Sequence, residues 1–214
     1  MVELYLQQFA RQEADLMSPE LAVFNTSRLQ ALWEAIIAVK GDKAPVPFWC
    51  VVWPGARALA RYILDHKDQF RGRRVLDAAC GSGLAGIAAA KCGARVRGID
   101  ISPEAIELAK HMSHLNGTDC EWVVGDAFAE SSELFDIVLV GDVFYDQALA
   151  RKATKFMRSV TDKGSVVLAS DPGRNYCPRE EYRAFGNLKV PVDPDLEGAD
   201  FKITALLTMN RQAN

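Results

Sequence analysis

At 214 residues, 49% hydrophobic and 25% charged, the chain has the composition of an ordinary soluble globule and length enough for one three-layer domain. A net charge of −3 and a pI near 5.7 argue against nucleic acid held mainly through phosphate contacts. No apolar run is long enough for a bilayer, which excludes a helical membrane span.

The N-terminal stretch MVELYLQQFARQEADLM carries acids and lacks a basic-then-apolar signal pattern. The five cysteines form no C-x-x-C pair or Cys/His cluster, and His66, His111 and His114 are scattered over polar helical surroundings and make no metal site with them. Reduced thiols, a cytoplasmic location and no metal site are therefore expected.

Leu4, Leu6, Phe9 and Leu16 predict a short amphipathic helix over residues 3–16. Ser18-Pro19-Glu20 reads as a second helix start, with Ser18 as cap and Pro19 at the first position. The stripe from Leu21 to Ile37 carries that helix to Gly41, making residues 1–47 a helical cap on the single domain 1–214. After a loop over 41–47, Phe48-Trp49-Cys50-Val51-Val52-Trp53-Pro54-Gly55 is rich in aromatics. It reads either as a packed cap on the sheet edge or as a lid over a ligand, with Trp53 facing it. A helix from Ala56 to His66 follows.

Residues 74–100, RVLDAACGSGLAGIAAAKCGARVRGID, then read as a buried strand, a glycine-rich turn, a helix and a second strand. Gly81, Gly83 and Gly86 allow close approach of backbone to a ligand at a helix start. Alone, G-x-G-x-x-G with Asp100 downstream fits a dinucleotide fingerprint. Asp77, preceding the glycines, opposes that reading, since a pyrophosphate there meets a like charge. S-adenosylmethionine, with an ammonium, a sulfonium and a diol but no phosphate, fits better.

Further on, helices are expected over 102–117 and 148–160, and strands over 122–124, 135–140 and 165–170. The tail offers extended stretches at 188–192 and 201–209 around a DPDLEG turn, a terminal hairpin. Alternating strands and helices make an α/β fold with a mainly parallel sheet and helices on both faces.

Asp77, Asp100, Asp126, Asp142 and Asp171 each stand at or just after a strand end, where ligands of open α/β sheets bind. Asp126 and Asp171 read equally well as helix caps. As a set they point to a site. Asp77 is assigned to the methionine ammonium, with Gly81 and Gly83 letting the amino-acid moiety lie on the loop. Asp100 is assigned to the ribose hydroxyls. Asp126 and the Ala127 N–H are assigned to adenine, with Ile101 and Phe128 flanking the base or buried in the core. Cys80 in the loop, Gly141 at the fourth strand end and Trp53 complete the expected cofactor set.

V-L-D-x-x-C-G-x-G, an acid closing the second strand and G-D-A after the third resemble the Rossmann-like, seven-stranded methyltransferases. F-W-x-x-x-W-P-G, D-V-F-Y-D and D-P-G-R resemble a narrower group: the electron-transfer-flavoprotein β-subunit lysine methyltransferases and bacterial relatives often labelled nicotinamide N-methyltransferases. The similarity covers about Phe48 to Arg174. It implies a protein substrate, the flavoprotein β subunit, with a small heteroaromatic nitrogen as the alternative target. An inactive cofactor-binding module and a nicotinamide-dependent reductase are the other readings; the resemblance and Asp77 weigh against them. The family's D-x-x-Y element falls on Asp142 to Tyr145, implying that Asp142 and Tyr145 border the target nitrogen.

Overall fold

The computed structural model describes residues 1–129 and 133–210. Its centre is a seven-stranded sheet. Strands β3 (Arg74–Ala78), β4 (Arg95–Asp100), β5 (Glu121–Val124), β6 (Ile137–Gly141) and β7 (Val166–Asp171) are parallel. Strands β8 (Tyr182–Pro191) and β9 (Phe201–Met209) complete one edge antiparallel, giving the order β5-β4-β3-β6-β7-β9-β8.

Period-two alternation divides the apolar residues of the central strands between two cores. Val75, Ile137, Leu139 and Leu168 face one side with α3 (Pro54–Asp65), α4 (Leu84–Lys91) and α5 (Pro103–Leu115). Leu76, Val138, Val140 and Val167 face the other, against Ala150, Ala153 and Met157 of α6 (Gln147–Asp162). Helices on both faces and the terminal antiparallel hairpin agree with the sequence reading. The hairpin is longer than expected, since β8 begins at Tyr182, and a single helical turn, α7 (Pro194–Glu197), occupies its connection.

The N-terminal region departs from the expected pair of helices. Helix α1 (Val2–Phe9) ends early, and β1 (Arg11–Ala14) pairs antiparallel with β2 (Ala22–Asn25). Ser18 caps no helix. The Asp15 carboxylate instead accepts N–H bonds from Met17 and Ser18, and the Ser18 carbonyl accepts one from Leu21. Such a turn competes with helix initiation. A tertiary contact fixes it: Asp15, 1% exposed, receives Arg57 Nε of α3 at 2.7 Å. The second helix, α2 (Leu29–Lys40), starts only after β2 and buries Leu32 and Ile36 in the α3–α5 core.

Candidate active site

Sheet order reverses between β3 and β6, and a cavity of about 530 Å³ opens at the carboxyl ends of the strands there. That is the expected crevice of an open α/β sheet, within the ordinary size range of a small-molecule site. Three of the five strand-end aspartates, Asp100, Asp126 and Asp142, line it.

The turn after β3 supplies the floor. Ala79 and Gly81 have left-handed backbones, at φ 55° and 53°, and both line the cavity. A side chain at Gly81 would meet nothing within 4 Å, so this glycine leaves its backbone open to a ligand. Its N–H donates to Asp100 Oδ2 at 2.9 Å, and Ser102 N–H donates to Oδ1 at 2.9 Å. Burial raises the Asp100 pKa, against the pull of those N–H bonds. Each carboxylate oxygen retains acceptor capacity toward the cavity.

The other glycines of the loop serve packing. A Cβ at Gly83 would stand 2.6 Å from the Trp122 ring, and one at Gly98 would stand 2.1 Å from it. Gly86 is similarly close to Trp122 and to Asp77. Trp122 of β5 thus lies in a slot that only glycines provide. Asp77 is 4% exposed, outside the lining, and accepts the Gly86 N–H at 2.8 Å. Burial raises its pKa to about 7. It therefore ties the start of α4 to β3 rather than presenting a charge to the cavity. Cys80 is likewise buried and, with Gly83, stands outside the lining.

Ile101 is 77% exposed and lines the cavity wall, so it does not belong to the core. Ala127 and Phe128 also line it, and Phe128 packs on Phe156 with ring centroids 5.6 Å apart. Both Asp126 oxygens are engaged, one by Lys152 and the other by the Phe128 N–H at 3.1 Å. The Lys152 bond lowers the Asp126 pKa.

Beyond this lies the end of β6. Gly141, Asp142 and Tyr145 line the cavity. Asp142 adopts φ 53°, an uncommon backbone for a non-glycine residue and of the kind found at functional positions. It is 8% exposed; Oδ2 accepts the Gly55 N–H at 2.5 Å, and Oδ1 faces Arg174 Nη2 at 3.4 Å. Burial raises its pKa to about 7, with Arg174 and the Gly55 N–H opposing. Tyr145 is 52% exposed and reaches the Phe48 ring, 5.8 Å between centroids.

The aromatic segment divides between the two readings given to it. Phe48, Trp49 and Trp53 line the cavity, whereas Cys50, Val51 and Val52 are buried. Pro54 and Gly55 are no ligand-binding turn: they open α3, and Gly55 delivers its N–H to Asp142. Sequence reading missed this anchor, and it missed Arg174 and Glu197, because the partners are distant along the chain. It also missed the N-terminal contribution, in which Tyr5, Ile36, Lys40 and Val46 form part of the wall. Asp171 stays outside the lining and accepts the N–H groups of Gly173 and Arg174.

The charges define what can bind. The two lining lysines are committed, Lys40 to Glu104 and Lys152 to Asp126. Asp100 faces the open loop with no cation within ion-pair distance among the described residues. A ligand with hydroxyl groups and a cationic centre fits such a lining.

Residues 69–199 match the family described as "Methyltransferase domain". The electron transfer flavoprotein beta subunit lysine methyltransferase of Danio rerio is 39% identical over 133 residues, covering 61% of this chain and 52% of the relative. Its homolog in Caenorhabditis elegans is 32% identical over 183 residues, covering 78% and 74%. The chain spans about half the length of the first of these relatives. Among solved structures, magnesium protoporphyrin IX methyltransferase from Synechocystis, with bound SAM, matches at TM-score 0.54 and 15% identity. That match covers 86% of this chain and 92% of the other, and it supports the fold. The chain therefore belongs to the methyltransferase domain family and, within it, to the electron transfer flavoprotein beta subunit lysine methyltransferases and their homologues.

Proposed function

We propose that the chain is an S-adenosylmethionine-dependent N-methyltransferase acting on protein lysine, with the β subunit of electron transfer flavoprotein as its substrate. The observation that carries this reading is that Asp142 and Tyr145 line the same cavity as Gly81 and Asp100. The relatives named above support the substrate.

When bound, S-adenosylmethionine would supply an electrophilic methyl group on a sulfonium. Asp100 would accept hydrogen bonds from its ribose hydroxyls, and Gly81 would leave room for its amino-acid moiety. Ile101, Phe128, the Ala127 N–H and Asp126 would hold the adenine. Asp142 receives the incoming lysine ammonium, and Tyr145 orients it. Solvent would take the proton, so that Asp142 and Tyr145 hold a neutral amine ready to accept a methyl group. Phe48, Trp49 and Trp53 exclude water and favour a cation through their ring faces. Alignment of this kind can account for about 7–11 kcal/mol of a barrier.

Residues 1–47 share the cavity wall, which supports reading the chain as one functional domain. Among the described residues no helix is long and apolar enough to cross a membrane, and all five cysteines are free. The free thiols support a cytoplasmic setting.

The test is incubation with methyl-labelled S-adenosylmethionine and either the purified flavoprotein β subunit or nicotinamide. Label on lysine of the protein is expected. Label on nicotinamide alone would replace the substrate assignment, and calorimetric binding of NAD without S-adenosylmethionine would replace the cofactor.

A further inference from the structure

Arg174 follows β7 in the D-P-G-R segment, and three features converge on it. Its Nη1 and Nη2 reach Glu197 Oε2 and Oε1 at 3.1 and 2.5 Å, a bidentate pair. Nη2 also faces Asp142 Oδ1 at 3.4 Å. The guanidinium lies 5.7 Å from the Trp53 ring centroid. The backbone end is held too, because Asp171 accepts the Arg174 N–H.

Glu197 belongs to α7, inside the connection of the terminal hairpin, and its side chain is 5% exposed. Lys202 of β9 pairs with it at 3.4 Å. A guanidinium fixed this rigidly costs little further ordering when it faces Asp142. With Gly55 on Oδ2 and Arg174 on Oδ1, the orientation of the Asp142 carboxylate is set from both sides.

We propose that Arg174 is a positioning residue, clamped by Glu197, that fixes the orientation and ionisation of Asp142. The hairpin connection thereby controls the carboxylate assigned to the target nitrogen. The inference rests on the function proposed above for its meaning, but its test does not.

The charged and titratable groups around Asp142 act with opposite signs. Arg174 and the Gly55 N–H favour the carboxylate, whereas Glu197 and Asp171 disfavour it. Tyr145 stands on the same loop, and Arg57 of α3 is committed to Asp15. A neutral side chain at 174 removes the favourable charge, whereas one at 197 removes an unfavourable charge and also releases the guanidinium from its clamp. These two effects at 197 oppose each other, and only the first remains once Arg174 is gone.

The experiment is carboxyl ¹³C NMR titration of the full chain labelled at aspartate, with the Asp142 signal assigned by its loss in Asp142→Asn. Arg174→Met should move the midpoint up by about one pH unit; Glu197→Gln should lower it in the Arg174→Met background, and lower it less, or raise it, in the wild-type background, where the clamp is lost as well. Arg174→Lys, which keeps the charge and is the safer variant for folding, should keep it near the wild-type value. The acid limb of the methyl-transfer pH profile should follow in each case. A midpoint that does not move in Arg174→Met, or a Glu197→Gln shift that is the same in both backgrounds, overturns the proposal. If the midpoints shift as stated while no substrate is methylated, the clamp stands and the functional reading falls.

Discussion

The Gly55 N–H donates to the Asp142 carboxylate across 87 residues of sequence, making a residue of the candidate catalytic element the anion at the start of α3. Helix N-termini favour such a charge. A Cβ at Gly55 would lie 2.3 Å from Asp142 Oδ2, so the pair tolerates no side chain there.

Asp142→Asn keeps shape and removes charge. Cofactor affinity should stay within a few-fold while methylation of protein falls roughly 30- to 1000-fold, or about 2–4 kcal/mol, comparable to deleting one preorganised polar group. A neutral nicotinamide ring should suffer less, having no ammonium to be received. Gly55→Ala should imitate the loss by displacing the carboxylate. Steady-state rates at saturating cofactor decide the matter; a folded Asp142→Asn protein working at wild-type rate refutes the assignment.

Asp100→Ala removes the acceptor assigned to the ribose diol and frees the N–H groups of Gly81 and Ser102. Binding of S-adenosylhomocysteine should weaken by about 10- to 100-fold, the worth of a hydrogen bond to a charged group. Titration calorimetry measures this, and an unchanged affinity contradicts the role.

Trp53 lines the cavity, donates its indole N–H to the Phe48 carbonyl at 2.8 Å and packs beside Arg174. Trp53→Ala should therefore reduce turnover more than it reduces the melting temperature. Equal activity in a less stable variant would return Trp53 to a packing role.

Asp77 has a pKa raised to about 7 by burial, so the folded chain binds more protons than the unfolded one between about pH 4 and pH 7. Its contribution to stability is fullest below the unfolded pKa and is lost as pH rises through about 7. Asp77→Asn, whose amide oxygen can still accept the Gly86 N–H, should gain stability relative to wild type at pH 8 and not at pH 4. Three pH units at about 1.4 kcal/mol each put the upper bound near 4 kcal/mol. Melting curves at the two pH values test the sign; a larger gain at pH 4 would reverse the argument.

Gly98→Ala places a methyl group on the Trp122 ring, in contact with a residue that also fills the Gly83 and Gly86 positions. Overpacking of this kind costs about 1–3 kcal/mol. The melting temperature should drop, and Trp122→Leu in the same background should recover part of the loss. A variant as stable as wild type would show that the slot has slack.

The parallel sheet was legible in the sequence because short apolar runs, glycine turns and strand-end aspartates are local signals. They follow from the two-residue period of strands and from backbone needs within a turn. Asp100, Asp126 and Asp142 could be placed at one edge of the sheet for the same reason. Local pattern failed at Ser18-Pro19, where the buried Arg57–Asp15 pair holds a turn against a good helix-start signal. It failed also to separate the roles of equivalent residues. Gly81 faces the cavity and Gly83 faces Trp122, although both stand in one motif. Asp77 is buried while Asp100 lines the cavity. Only packing could assign the Gly55, Arg174 and Glu197 partners around Asp142, since they come from α3, the segment after β7, and α7. A carboxylate's identity is written in the chain, but its burial, neighbours and ionisation arise from elements that meet only in the folded molecule.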